Sequence, residues 1–232
     1  RVRVPETGIV ANQLTGWDAG EINPSQWQRA QTQFERHPQT PAFIVSKPEY
    51  RSSGFTKATF RGAEFVGELN LEDRLLRAAE VAHTHPGSLV YAYAPELDSL
   101  GHKSGWESDA WIAQLERVDA ACRAFDRALP SDVGALVTAD HGMVDVPHHS
   151  HILLGEGDPL LEGVADIAGE PRMLHLYAEP GPEPAVLERW RATEDKRAWV
   201  FSRDEAIEAG LFGDVAPEVA PRIGDVLVAA RG

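Results

Sequence analysis

Two short polar clusters carry the chemistry that can be read from this chain. The first is Glu96-Leu97-Asp98-Ser99-Leu100-Gly101-His102, and the second is Thr138-Ala139-Asp140-His141-Gly142-Met143. Each contains an aspartate and a histidine, ligand types that Zn²⁺ accepts readily, and the first carries a second carboxylate, Glu96. Two carboxylates brought face to face repel unless they are protonated or bridged by cations. A pair of metal ions removes that conflict, and ions about 3.5–4 Å apart are a common device for phosphoryl hydrolysis. Either cluster alone is a weak signal, because an Asp-His or Asp-Ser pair also serves as a cap or turn. Their conjunction is what carries the reading.

The elements that must position these clusters follow from hydrophobic periodicity. Residues 88–93 and 134–138 read as strands buried on both faces, with a helix over 108–129 between them. Strand, long helix, strand is a βαβ unit and implies a parallel sheet. Functional groups in such sheets gather beyond the carboxyl ends of the strands. Both clusters are therefore expected on one edge of the sheet. Upstream, the pattern predicts a helix over 26–36, a strand over 41–46, loop or short elements over 49–70, and a helix over 71–83. Downstream it predicts a strand over 172–177, a helix over 183–192, and a strand over 198–201. A helix over 203–209 capped by Ser202 and a strand over 223–229 complete it. The expected fold class is α/β, a partial parallel sheet flanked by helices over residues 1–150. A smaller α+β lobe is expected over 151–232.

Composition narrows the partners. The 232 residues are 43% hydrophobic and 25% charged, with a formal net charge of −14. That excess of acid repels nucleic-acid polymers and anionic lipids. A small anionic substrate is still accommodated where bound cations reverse the local field. No apolar run reaches membrane-spanning length. The one cysteine, Cys122, reads as a small buried hydrophobe. With no visible signal peptide, it favours a reducing, cytoplasmic compartment.

Other titratable groups read as structural. His83 and His85 sit near a helix C-terminus, where a cation suits the dipole. His148, His149 and His151 read as a solvated loop. His175 alternates with Leu174 and Leu176 in an expected strand, Thr56 has no base or metal placed beside it, and Asp119 reads as a structural or exposed helix carboxylate. The six tryptophans are scattered and suit packing.

The stretches Tyr93-Ala94-Pro95-Glu96-Leu97-Asp98-Ser99-Leu100-Gly101-His102 and Val137-Thr138-Ala139-Asp140-His141-Gly142-Met143 resemble the metal-binding motifs of type I phosphodiesterases and nucleotide pyrophosphatases. These enzymes form part of the alkaline phosphatase superfamily. Asp109-Ala110-Trp111, Gly169-Glu170-Pro171-Arg172 and Arg222-Ile223-Gly224-Asp225-Val226 look like bacterial members of the group. The resemblance implies two divalent metal ions, zinc by family habit. Asp98 and His102 would serve one, and Asp140 and His141 the other. It also implies hydrolysis of a phosphoric ester or anhydride in a small phosphorylated substrate such as a nucleotide.

The departures are equally specific. Family members carry an upstream strand with a ligating Asp, then a Thr or Ser nucleophile, and a late Gly-His-Gly-like motif. None of these is found here, and residues 1–10 look like the stretch that follows the nucleophile. The expectation is the middle of a longer enzyme with no catalytic nucleophile among these residues. Phosphonate hydrolysis, phosphomonoester hydrolysis and phosphate mutation share the same motifs. A non-catalytic module that binds a metal or a partner is the alternative from another class.

Overall fold

The computed structural model describes residues 1–17 and 19–231. In chain order the elements begin with β1 (Val2–Arg3), β2 (Val10–Ala11), α1 (Pro24–Trp27) and α2 (Gln33–Arg36). Next come β3 (Ala42–Ser46), α3 (Gly54–Thr59), β4 (Glu64–Gly67), α4 (Leu71–Thr84) and β5 (Leu89–Ala92). Helices α5 (Glu96–Ser104) and α6 (Asp109–Ala128) follow, and then β6 (Val164–Glu170) and β7 (Met173–Ala178). The chain closes with α7 (Glu183–Glu194), β8 (Ala198–Ser202), α8 (Arg203–Glu208) and β9 (Val226–Ala230). It divides into two compact units, Pro24–His151 and Arg1–Asn23 with Ile152–Gly232.

The first unit is built on a parallel sheet of order β4-β3-β5. Its centre is the run Ala42-Phe43-Ile44-Val45-Ser46, buried at every position because both of its faces are covered. Ile44 sits beside Phe65 on one neighbour and Tyr91 on the other. Helix α4 buries Leu71, Arg74, Ala78, Ala79 and Val81 and packs on β3, β5 and α6. Helix α6 starts where Ser108 accepts a hydrogen bond from the Trp111 N–H at 3.2 Å. The Trp111 indole N–H in turn donates to the Leu97 carbonyl at 3.0 Å, fastening α6 to α5.

Several expectations are corrected here. Strand β5 is not buried on both faces, since Leu89 and Tyr91 are exposed. Segment 134–138 forms no strand, and Leu136 and Val137 are 89% and 74% exposed. An apolar run becomes a strand only when a neighbour meets its backbone polar groups. Among the described residues none pairs with this segment or with the second edge of β5. The expected helix over 26–36 is two short helices. Thr32 breaks it by capping α2, accepting from the Glu35 N–H while its own N–H donates to the Glu35 carboxylate. Strand β4 falls within a stretch expected to be loop or short elements.

The second unit is an antiparallel sheet of order β6-β7-β9-β8. Leu176, Val186, Trp190, Val226 and Val228 form one core, with α7 laid against the sheet. Ala206, Ile223 and Leu227 form another under α8. Strand β6 had no counterpart in the sequence reading. Residues 1–23, grouped above with the parallel sheet, pack in this unit. Arg1 exchanges backbone hydrogen bonds with Gly169, and the Arg3 guanidinium lies over the Tyr177 ring and 3.6 Å from Asp166. Ser202 caps α8 in a capping box with Glu205, as the sequence predicts.

Two outcomes check this packing. A Cβ added at Gly101 would meet Met143 Cε at 2.0 Å and Sδ at 2.6 Å, so the loop after α6 rests on a bare face of α5. The chain has two methionines, so methyl-labelled protein gives two methyl signals. Gly101→Ala is expected to shift the Met143 signal and leave that of Met173 in place. An unmoved Met143 signal would contradict the contact. The Arg191 guanidinium, followed by the Ser202 N–H, holds the Glu205 carboxyl at about 2, below its ordinary 4.5. A depressed carboxylate stabilises the fold above its unfolded value and loses that contribution as it protonates. The stability gap between wild type and Glu205→Gln should therefore shrink as pH falls from 4.5 toward 2 in acid-denaturation curves.

Candidate metal centre

Strand β5 ends at Ala92, and three residues later the chain turns into α5, with Pro95 at the cap position. Asp98 and His102 lie one turn apart on that helix, a spacing that puts both side chains on one face. His102 Nε2 is 3.4 Å from Asp98 Oδ1. Gly105, at φ +81°, ends the helix in a backbone conformation that suits glycine, and its carbonyl accepts from the Ser108 hydroxyl. Asp140 and His141 come from the irregular segment after α6, held against α5 through Met143 and Gly101.

The two clusters meet at His141. Its Nε2 is 3.8 Å from Asp98 Oδ1 and 3.7 Å from Asp140 Oδ1. Its Nδ1 is 2.8 Å from the Gly142 carbonyl oxygen, which can only accept, so Nδ1 carries the proton. Nε2 is then free to act as an acceptor or metal ligand when the ring is neutral. The Gly142 carbonyl, then Asp140 and Asp98, raise the imidazole pKa above its ordinary value. Asp98 Oδ1 is buried and accepts no hydrogen bond from the described residues, although two imidazole nitrogens lie within 4 Å of it. An orphaned carboxylate oxygen near two imidazoles is the kind of donor set that suits a divalent cation. Among the described residues, no three such side chains close tightly enough to hold an ion by themselves. The cluster is open to solvent, with the His102 and Asp140 side chains 78% and 82% exposed.

Two phenols border this acidity. Burial first, then the Asp140 charge, raises the pKa of both Tyr91 and Tyr93, with Asp98 adding to Tyr93. Both stay protonated near neutral pH and can donate hydrogen bonds. The remaining candidates lie in structural roles. His175 is partly buried, its Nδ1 accepts from the Gly224 N–H at 3.1 Å, and burial lowers its pKa. His148, His149 and His151 are exposed, with the first and last in ring contact. Thr56 is tied into the Ser53 cap of α3, and Asp119 pairs with Arg123 on the surface of α6. A cavity of about 720 Å³ beside β4 and α4 includes none of the motif residues.

What the sequence reading missed is the support beneath the first motif. Arg74 is fully buried and pairs with Glu96, two residues before Asp98. The signal was present, because Arg74 falls on the apolar face of α4 with Leu71, Ala78 and Val81. A cation on such a stripe must have buried partners.

Three solved structures share this fold. Murine ectonucleotide pyrophosphatase / phosphodiesterase 5 superposes with a TM-score of 0.66 at 17% identity, covering 93% of this chain and 58% of that one. The human counterpart gives 0.64 at 14% identity, with 97% and 60% covered. Phosphonoacetate hydrolase from Sinorhizobium meliloti in complex with phosphonoformate gives 0.64 at 17% identity, with 99% and 64% covered. The chain thus spans less than two thirds of the length of each. No curated protein sequence matches significantly. Residues 4–232 match the model of one family, and the chain belongs to it: type I phosphodiesterase / nucleotide pyrophosphatase.

Proposed function

We propose that this chain forms part of a two-metal hydrolase acting on phosphoric ester or anhydride bonds in a small phosphorylated substrate. The observation that carries this reading is the meeting of the two motifs at Asp98 Oδ1, a buried atom with no hydrogen-bond partner among the described residues and with the His102 and His141 imidazoles nearby. Family membership supports it, since enzymes of this family are generally metal-dependent. Asp98 with His102 would hold one divalent cation and Asp140 with His141 the other, and imidazole with carboxylate suits zinc. When bound, such a pair lowers the pKa of an attacking oxygen and offsets charge developing on the phosphoryl group.

The protein's own part is orientation. The Gly142 carbonyl fixes the His141 tautomer so that Nε2 faces the carboxylates. The i, i+4 spacing on α5 keeps Asp98 and His102 together, and Tyr93 stands ready as a neutral donor beside them. For the substrate, one solved relative is an inactive murine ectonucleotide pyrophosphatase / phosphodiesterase 5 in complex with AMP. Another, phosphonoacetate hydrolase, was solved with phosphonoformate. A nucleotide is the substrate class we favour, with phosphonate, phosphomonoester and phosphate-transfer substrates as the comparison set. The net charge of −14 disfavours a nucleic-acid polymer. A metal- or partner-binding module without turnover is the second reading. Its support comes from the sequence, in which no Thr or Ser nucleophile is recognised among these residues.

Zinc titration and turnover of bis-p-nitrophenyl phosphate by the full-length protein test the assignment. Asp98→Ala should weaken one cation and His141→Ala the other, each lowering turnover more than about 100-fold, beyond the usual loss for outer-shell partners. Zinc binding without turnover would favour the module. Unchanged zinc binding in both variants would remove the two-metal reading.

A further inference from the structure

We propose that Arg74 is the positioning residue for the Asp98–His102 pair, acting through Glu96; the proposal rests on the metal assignment above. Arg74 projects from the first turn of α4 and its side chain is 0% exposed. All five of its N–H groups are engaged. Nε donates to the Glu68 carbonyl at 3.1 Å, and one terminal nitrogen donates to the Tyr93 carbonyl at 3.0 Å and Glu96 Oε2 at 3.2 Å. The other donates to the Leu69 carbonyl at 2.7 Å and Glu96 Oε1 at 3.0 Å. One planar group therefore gathers the backbone just past β4, the backbone just past β5, and the first residue of α5. Lys47, the residue after β3, adds a second cation 3.9 Å from Glu96.

The geometry explains why this matters for the motif. Helix α5 has no side-chain cap, since Pro95 cannot supply one, so the entry of the chain into the helix is held from outside. The Glu96 carboxylate, gripped in bidentate fashion, fixes that entry two residues before Asp98 and six before His102. A guanidinium presents this fork and a lysine ammonium does not, so the charge alone is insufficient. Arg74 touches neither proposed cation nor substrate; it sets the direction in which α5 points its ligands.

The test uses Arg74→Lys and Glu96→Gln in the full-length protein, with zinc titration by calorimetry, cobalt(II) absorption of the metal-substituted protein, and thermal unfolding. His102→Ala serves as the reference for losing the same half-site. Both variants are expected to unfold cooperatively and to bind the cation of the Asp98–His102 pair about 10-fold more weakly, the lower end for outer-shell partners. The cobalt bands lost in His102→Ala should be altered in both variants, and the cation at Asp140 and His141 should be unchanged. If the melting temperature falls while both cations bind as in wild type, Arg74 is merely structural and the proposal is wrong. If Arg74→Lys does not fold, Glu96→Gln decides by the same measurements, because it keeps the arginine in place. If His102→Ala itself leaves metal binding intact, the metal assignment fails and takes the proposal with it. Loss in His102→Ala without loss in the other two overturns only the role of Arg74.

Discussion

A charge with no access to water is the constraint around which the parallel-sheet unit is arranged. Removing a guanidinium from solvent costs several kcal/mol even after relaxation, and the cost is offset only by near-complete pairing. The fold meets that demand by bringing the ends of β4 and β5 and the start of α5 to one point around Arg74. The same convergence delivers the first motif to the carboxyl end of the sheet, where parallel α/β folds place their chemistry. Packing alone would not single out that point, because an apolar contact is non-directional. Five directed hydrogen bonds do.

The second motif is held differently. Among the described residues it has no strand behind it, and its apolar lead-in, Leu136 and Val137, stands in solvent. The seat of Met143 on Gly101 keeps Asp140 and His141 near Asp98, and the Gly142 carbonyl sets the His141 tautomer within the segment itself. One motif thus sits on a rigid element and the other on a loop resting against it. Loops open locally at lower free energy than packed helices. The Asp140–His141 pair should therefore be the more adaptable half of the proposed centre.

Much of this was legible from residue types, and the failures have physical causes. The strand expected over 41–46 is β3, the central strand of the parallel sheet, and it is buried at every position. Ser202 announced its helix because an N-cap is a local interaction, decided within three residues. Strand β4, Glu-Phe-Val-Gly, carries a charge and a glycine in four residues and exists because β3 lies beside it. Segment 134–138 has the opposite history. Its composition states what it could pair with, and among the described residues nothing pairs with it. The four motif residues were readable as ligand types, yet what aims them was not. The place of Gly101 is clear only with Met143 against it, and that of Arg74 only once its helical face is drawn.

The central claim is that Asp98, His102, Asp140 and His141 form one dinuclear centre, and anomalous diffraction at the zinc edge tests it most directly. Crystals of the full-length protein grown with zinc should show two anomalous peaks about 3.5–4 Å apart. One should lie within bonding distance of Asp98 and His102, and the other of Asp140 and His141. A single peak elsewhere, such as among His148, His149 and His151, or none between the motifs, would contradict the account.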